Sequence, residues 1–142
     1  MVTFRTMQPI NRRRFIAAAA TLAAAPALLA QTGEKNNKTM VIHHVFFWLK
    51  NPGNAADKQL LMEGLRTLTG VEQVKKLLIG TPARTEQRTV VDSTYDVSEL
   101  MYFDSAEDQD AYQTHAIHKA FVEKYSYLWE RVVVYDMLAA EV

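Results

Sequence analysis

The side chains with chemistry to offer are four histidines, one carboxylate set in an apolar stretch and a pair of loop arginines. His118 shares helical spacing with Phe121, Val122, Tyr125 and Trp129, so it turns inward with an apolar stripe. A neutral imidazole there suits proton abstraction, because its ordinary pKa of about 6.5 lies close to neutral pH. The plainer alternative is a structural histidine bonded to backbone in a turn. His115 lies three residues earlier, within one helical turn, but no carboxylate stands at a matching spacing. Metal sites take three or four ligands, so no metal is expected. His43 and His44 are neighbours in an extended segment and point to opposite faces of it, so they cannot grip one ion. Alternation leaves open which of the two lines a pocket beneath helices; each also reads as a buried structural histidine. Glu99 shares a strand face with Val97, Met101 and Phe103. Buried, its carboxyl would have a raised pKa and could serve as an acid; a place near the sheet edge, in reach of water, is the reading preferred. Arg84 and Arg88 suit an anion, with a solvated loop as the default.

These residues need a scaffold. Met40 to Leu49 is dense in β-branched and aromatic residues and reads as a strand that is apolar on both faces. Asn54 offers an N-cap, with Asp57 in the first turn where a carboxylate suits the helix dipole. Leu61, Leu65 and Leu68, with Gly64, make a helical stripe that Gly70 ends. A second strand is expected over Val71 to Gly80, a polar connection over Thr81 to Ser93, and a third strand over Thr94 to Phe103. Ser105 with Asp108 reads as a capping box opening a short helix. A further helix over Ile117 to Leu128 and a Val-rich strand over Arg131 to Leu138 complete the order β-α-β-β-α-β, the ferredoxin-like α+β arrangement. Tyr125, Tyr127 and Trp129 read as core or interface aromatics. Helices would cover one face of a four-stranded sheet. The apolar face left over is most simply buried against a second copy, giving a homodimer with a barrel-like centre, a dimeric α/β barrel.

The bulk properties narrow the partners. At 142 residues there is room for one domain, and the absence of cysteine excludes disulfides, thiolate metal sites and a thiol nucleophile. The net charge of zero conceals a division: Arg5, Arg12, Arg13 and Arg14 lie in the first 30 residues, where there is no acid. The remaining 12 basic and 16 acidic residues carry a net charge of −4, which argues against nucleic acid as a partner. Asn11-Arg12-Arg13-Arg14-Phe15-Ile16 fits the twin-arginine export pattern. The Ala-rich stretch that follows, from Phe15 to Ala30, is too short and too weakly apolar for a stable span of about 20 residues. Residues 1–30 therefore read as a twin-arginine signal peptide cleaved after Ala30, residues 31–39 as a linker and residues 40–142 as the domain. The expected address is the periplasm, or export more generally, with the export machinery as a partner and no stable membrane anchor. No Gly-rich phosphate loop, serine elbow, haem-attachment motif or metal-ligand run is present, so no cofactor is expected.

His43-His44-Val45-Phe46-Phe47-Trp48-Leu49-Lys50, His115-Ala116-Ile117-His118-Lys119-Ala120-Phe121, and Trp129-Glu130 with Val132-Val133-Val134-Tyr135-Asp136 together resemble the stress-responsive dimeric α/β-barrel (Dabb) family over about residues 40–138. In the second segment the family's usual proline is Ala116 here. The resemblance implies a dimeric ferredoxin-like barrel but no single function. One plant member closes a polyketide ring by aldol chemistry without a cofactor, and its catalytic Tyr and His fall on Tyr112 and His118. A pocket histidine on its first strand falls on His43 or His44. Three functions are therefore carried forward. The preferred one is an exported barrel that binds a small apolar or aromatic molecule or acts in a stress response. The second is a cofactor-free lyase or cyclase with His118 as general base and Tyr112 as its partner, in a pocket that His43, His44 and His115 help to line. The third, suggested by related dimeric barrels, is haem binding.

Overall fold

The computed structural model describes residues 39–140. The signal segment 1–30, with Arg12, Arg13 and the cleavage site after Ala30, lies outside the described residues, as does the linker up to residue 38.

The first strand, β1, is Met40–Leu49, and burial alternates strictly along it. Val41, His43, Val45, Phe47 and Leu49 face the core, while Ile42, His44, Phe46 and Trp48 occupy the other face half-exposed. A turn containing Gly53, whose φ of 76° is the left-handed region a glycine adopts without strain, leads into α1, Ala55–Arg66. Asn54 Oδ1 caps that helix by accepting from the backbone N–H groups of Ala56 and Asp57. Leu61 and Leu65 are fully buried, and a 3-10 turn over Thr67–Gly70 carries Leu68 into the same core.

The second strand, β2, is only Lys76–Gly80. Val71 to Lys75, expected to be extended, instead turns: Val71 N–H donates to Leu68 O and Val74 N–H to Val71 O. Val71 and Val74 both pack on the core, and their spacing of three fits a turn rather than a strand. The third strand, β3, is Val97–Phe103 and also starts later than expected. Asp96 is diverted to another task. Its backbone N–H donates to Phe47 O, and its buried carboxylate accepts from Leu49 N–H and Gly53 N–H, tying the end of β1 to the turn before α1.

Two helices follow: α2, Ala106–Thr114, and α3, Ala116–Tyr125. Ser105 Oγ caps α2 by accepting from Asp108 N–H. The chain then tightens into a 3-10 turn over Ser126–Leu128 and enters β4, Trp129–Ala139, two residues earlier than expected. The strands form one antiparallel sheet in the order β2-β3-β1-β4. Element order and sheet order together are ferredoxin-like, with α2 and α3 sharing the second crossover. Tyr125 is buried and Trp129 half-buried, whereas Tyr127 is exposed.

Candidate functional site

The site begins with strand register. His43 on β1 stands opposite Asp136 on β4, and both side chains point to the helix side. His43 Nδ1 lies 2.6 Å from Asp136 Oδ1. A carboxylate can only accept, so Nδ1 carries the hydrogen of this bond, which fixes the orientation of the ring.

The junction of α2 and α3 places the next two residues. His115 is extended there, with φ −66° and ψ 143°, the conformation that a following proline enforces. Ala116 lacks that constraint, and the His115 side chain supplies another: its Nδ1 accepts from Ile117 N–H at 3.1 Å and caps α3. One turn on, His118 Nδ1 lies 3.1 Å from Gln113 O. A carbonyl also only accepts, so His118 is held with its hydrogen on Nδ1 and a lone pair on Nε2. Burial lowers the His118 pKa, the nearby His43 lowers it further, and the Gln113 carbonyl opposes part of the fall. The ring is therefore a neutral base at ordinary pH.

Tyr112, on the last full turn of α2, is 1% exposed. Its ring centroid lies 4.5 Å from that of His118, 5.9 Å from His43 and 5.2 Å from Phe103. Burial, and secondarily the Glu99 charge, push its phenol well above the usual range, so it stays an O–H donor. Glu99 is 3% exposed and faces the same space. Its expected place near a sheet edge is corrected by the strand order, since β3 is interior, flanked by β2 and β1. Burial raises its pKa to about 8, and its Oε2 has no hydrogen-bond partner among the described residues.

These groups line one cavity of about 310 Å³, whose remaining wall is largely apolar, with Phe47, Phe121 and Trp129 at one end. The structure brings His118, Tyr112 and His43 together there and leaves out two other expected pocket residues. His44 projects from the opposite face of β1 and packs on Phe46 at 4.1 Å between centroids. His115 spends its Nδ1 on the α3 cap and does not line the cavity. Alternation alone could not choose between His43 and His44; burial of the His43 face does. Asp136 was missed as a site residue, although a signal was present: it follows Val132 and Val134 at strand spacing, a carboxylate on an otherwise apolar face. Arg84 and Arg88 are exposed in the connection between β2 and β3. Among the described residues, no three His, Asp or Glu side chains are grouped so as to hold a metal ion. Chemically, the cavity offers a neutral imidazole base, a phenol donor, a second oriented imidazole and a neutral carboxyl in low-dielectric surroundings.

Among curated proteins, none matches the chain significantly. Solved structures do match in fold. A Dabb-family protein with a ferredoxin-like fold from Mesorhizobium loti is 19% identical with a TM-score of 0.59, covering 71% of this chain and 97% of its own. A dimeric ferredoxin-like protein of unknown function from Thermobifida fusca is 16% identical with a TM-score of 0.57, covering 71% of this chain and 92% of its own. A hydroxynitrile lyase from Passiflora edulis is 18% identical with a TM-score of 0.62, covering 74% of this chain and 97% of its own. Residues 41–139 match the profile of the stress-responsive A/B barrel domain, and the chain belongs to that family.

Proposed function

We propose that this protein is an exported homodimeric barrel whose cavity binds a small, largely apolar carbonyl or hydroxyl compound and carries out cofactor-free proton transfer on it, as a lyase or cyclase. One observation carries the reading: His118, Tyr112, His43 and Glu99 converge on a single apolar cavity, each held by elements the fold requires anyway. Binding alone needs no such set. A cavity built only to sequester an apolar molecule would be more stable without buried carboxyl and imidazole groups.

His118 Nε2 takes a proton from the carbon beside a carbonyl. The electron pair moves onto the carbonyl oxygen, where the Tyr112 O–H donates to the developing charge. The resulting enolate carbon attacks a second carbonyl in a cyclase. In a lyase, the same base takes a hydroxyl proton while the neighbouring carbon–carbon bond breaks and the leaving carbon departs with the electron pair. The fold shared with a hydroxynitrile lyase supports the second form by analogy only, because folds host many chemistries. Homodimerisation is supported by the apolar open face of the sheet and by the dimeric structures of this fold. Export is supported by Arg12, Arg13 and the Ala-rich stretch after them.

The test uses the full-length chain with two probes. Exchange of the acetophenone methyl protons in D2O, followed by NMR, reads abstraction beside a carbonyl; aldehyde release from mandelonitrile reads the lyase form. At least one should be accelerated and should fall by at least about a hundredfold in His118→Ala. Acetophenone binding with neither reaction would leave the ligand-binding barrel, and a Soret band on titration with haem would favour haem binding.

A further inference from the structure

No proton-transfer step above uses Glu99, yet it lines the cavity as a buried carboxyl. It sits mid-sheet on β3, opposite Val45 on β1 and Ile79 on β2, neither of which has a polar side chain to bond it. Among the described residues its buried Oε2 has no hydrogen-bond partner. A second copy cannot supply one through the open face of the sheet, because Glu99 points to the helix side. Such a group costs the fold free energy, and among the described residues no hydrogen bond to Oε2 offsets it. Buried unpaired polar groups in a concave site point to a ligand that completes them.

Position and charge narrow the ligand. Glu99 and His43 are diagonal neighbours across β1 and β3, about 7–8 Å apart by ordinary sheet geometry. One aromatic ring can span from His43 to the carboxyl. Among the described residues, no Lys or Arg lines the cavity to hold an anion. Burial keeps the carboxyl neutral to about pH 8, so it can both donate and accept.

Resting on the reading of a carbonyl-handling cavity, we propose that Glu99 is its specificity-determining residue: the ligand is a neutral, mainly apolar molecule that carries a hydroxyl group besides its reacting carbonyl, and that hydroxyl bonds to the Glu99 carboxyl. A purely hydrocarbon substituent there would leave Oε2 unpaired, and sites built to bond a hydroxyl reject the analogue that lacks it.

Calorimetric titration of the full-length wild type, Glu99→Gln and Glu99→Leu with acetophenone and its 3- and 4-hydroxy isomers tests this. The wild type should bind one hydroxy isomer at least about tenfold tighter than acetophenone. Glu99→Gln should keep most of that preference, while Glu99→Leu should reduce it to within about twofold and still bind acetophenone. Glu99→Leu should also melt higher than wild type, which a structural role for the carboxyl would not allow. Equal wild-type affinities for the three ketones, or a preference that survives in Glu99→Leu, would overturn the proposal and leave the cavity reading standing. No binding of any ketone would overturn both. Benzylamine binding tighter than either hydroxy isomer would overturn the proposal in favour of a cation site.

Discussion

His118 and Glu99 are moved by burial in opposite chemical senses, and both end neutral: burial lowers the imidazole pKa and raises the carboxyl pKa to about 8. For His118 the active form is the deprotonated ring, so turnover should rise with pH through a midpoint below 6.5, the ordinary imidazole value. A pH profile of acetophenone exchange checks this; a limb centred above 6.5 would remove His118 as the base. For Glu99 the folded form keeps its proton up to about pH 8, whereas the unfolded chain releases it near 4.5. The folded state therefore binds more protons between those values. The stability this confers is fully present below pH 4.5 and is lost as pH rises through 8, on the order of 5 kcal/mol across the window. Urea unfolding at pH 5 and pH 8.5 should show that loss in wild type and not in Glu99→Gln; parallel behaviour of the two would mean the carboxyl ionises freely in the fold. His118 was legible in the sequence because a 3.6-residue stripe reveals an inward position. Glu99 was legible only in part: alternation gave its face, but strand order decided whether that face met water, and strand order is a long-range property. The partner of His43 was hidden for the same reason, since Asp136 lies 93 residues away and meets it only through sheet register.

At the scale of elements, Gly64 lets α1 approach α3 closely. A Cβ built on Gly64 would lie 2.7 to 2.9 Å from ring carbons of Tyr125, which is buried between the helices. Alanine favours a helix interior over glycine by about 1 kcal/mol, but overpacking a buried ring costs about 1–3 kcal/mol, and here the ring itself must move. Gly64→Ala should therefore lower the melting temperature by several degrees, and adding Tyr125→Leu should recover part of the loss. A rise in melting temperature for Gly64→Ala alone would show that the ring relocates freely. Local chemistry made the helix starts readable: Asn54 and Ser105 cap where a side-chain oxygen three residues before a backbone N–H predicts a cap. The start of β1 was readable, but the starts of β2 and β3 were not, and the reason lies in particular residues. Val71 and Val74 are β-branched but serve a turn, and Asp96 leaves the ladder to bind Leu49 and Gly53 on other elements. Propensity describes the segment, whereas these positions were decided by what lies across the sheet.

For the whole molecule, two proposals concern where it goes and what it becomes. Replacing Arg12 and Arg13 together by Lys should retain the precursor in the cytoplasm, read by fractionation; export at the wild-type rate would dismiss the twin-arginine signal. The second proposal follows from the face of the sheet that the helices leave bare. Leu78, Tyr135 and Met137 are 48%, 64% and 53% exposed there, around half-exposed Ile42, Phe46 and Trp48. Phe46 sits at the middle of an aromatic group, with ring centroids 4.9 Å from Tyr95 and 6.0 Å from Tyr135. Arg131 covers the Trp48 ring at 4.1 Å, so the charged residue at this end shields apolar surface and leaves the centre of the patch open. A largely apolar sheet face of this kind, with His44 set among its aromatics, is unusual for a monomer, and a twofold axis through it lets identical patches bury each other. Tyr135 and Met137 are the residues to alter, because both are largely exposed in the protomer and contribute little to its own core. Tyr135→Asp with Met137→Asp would place four carboxylates in the buried centre of the dimer, weakening association by about a hundredfold or more. Sedimentation at micromolar concentration should give twice the monomer mass for wild type and the monomer mass for the double variant, with unchanged circular dichroism. A monomeric wild type, or a variant that stays dimeric, would place the interface elsewhere and require another explanation for the bare face.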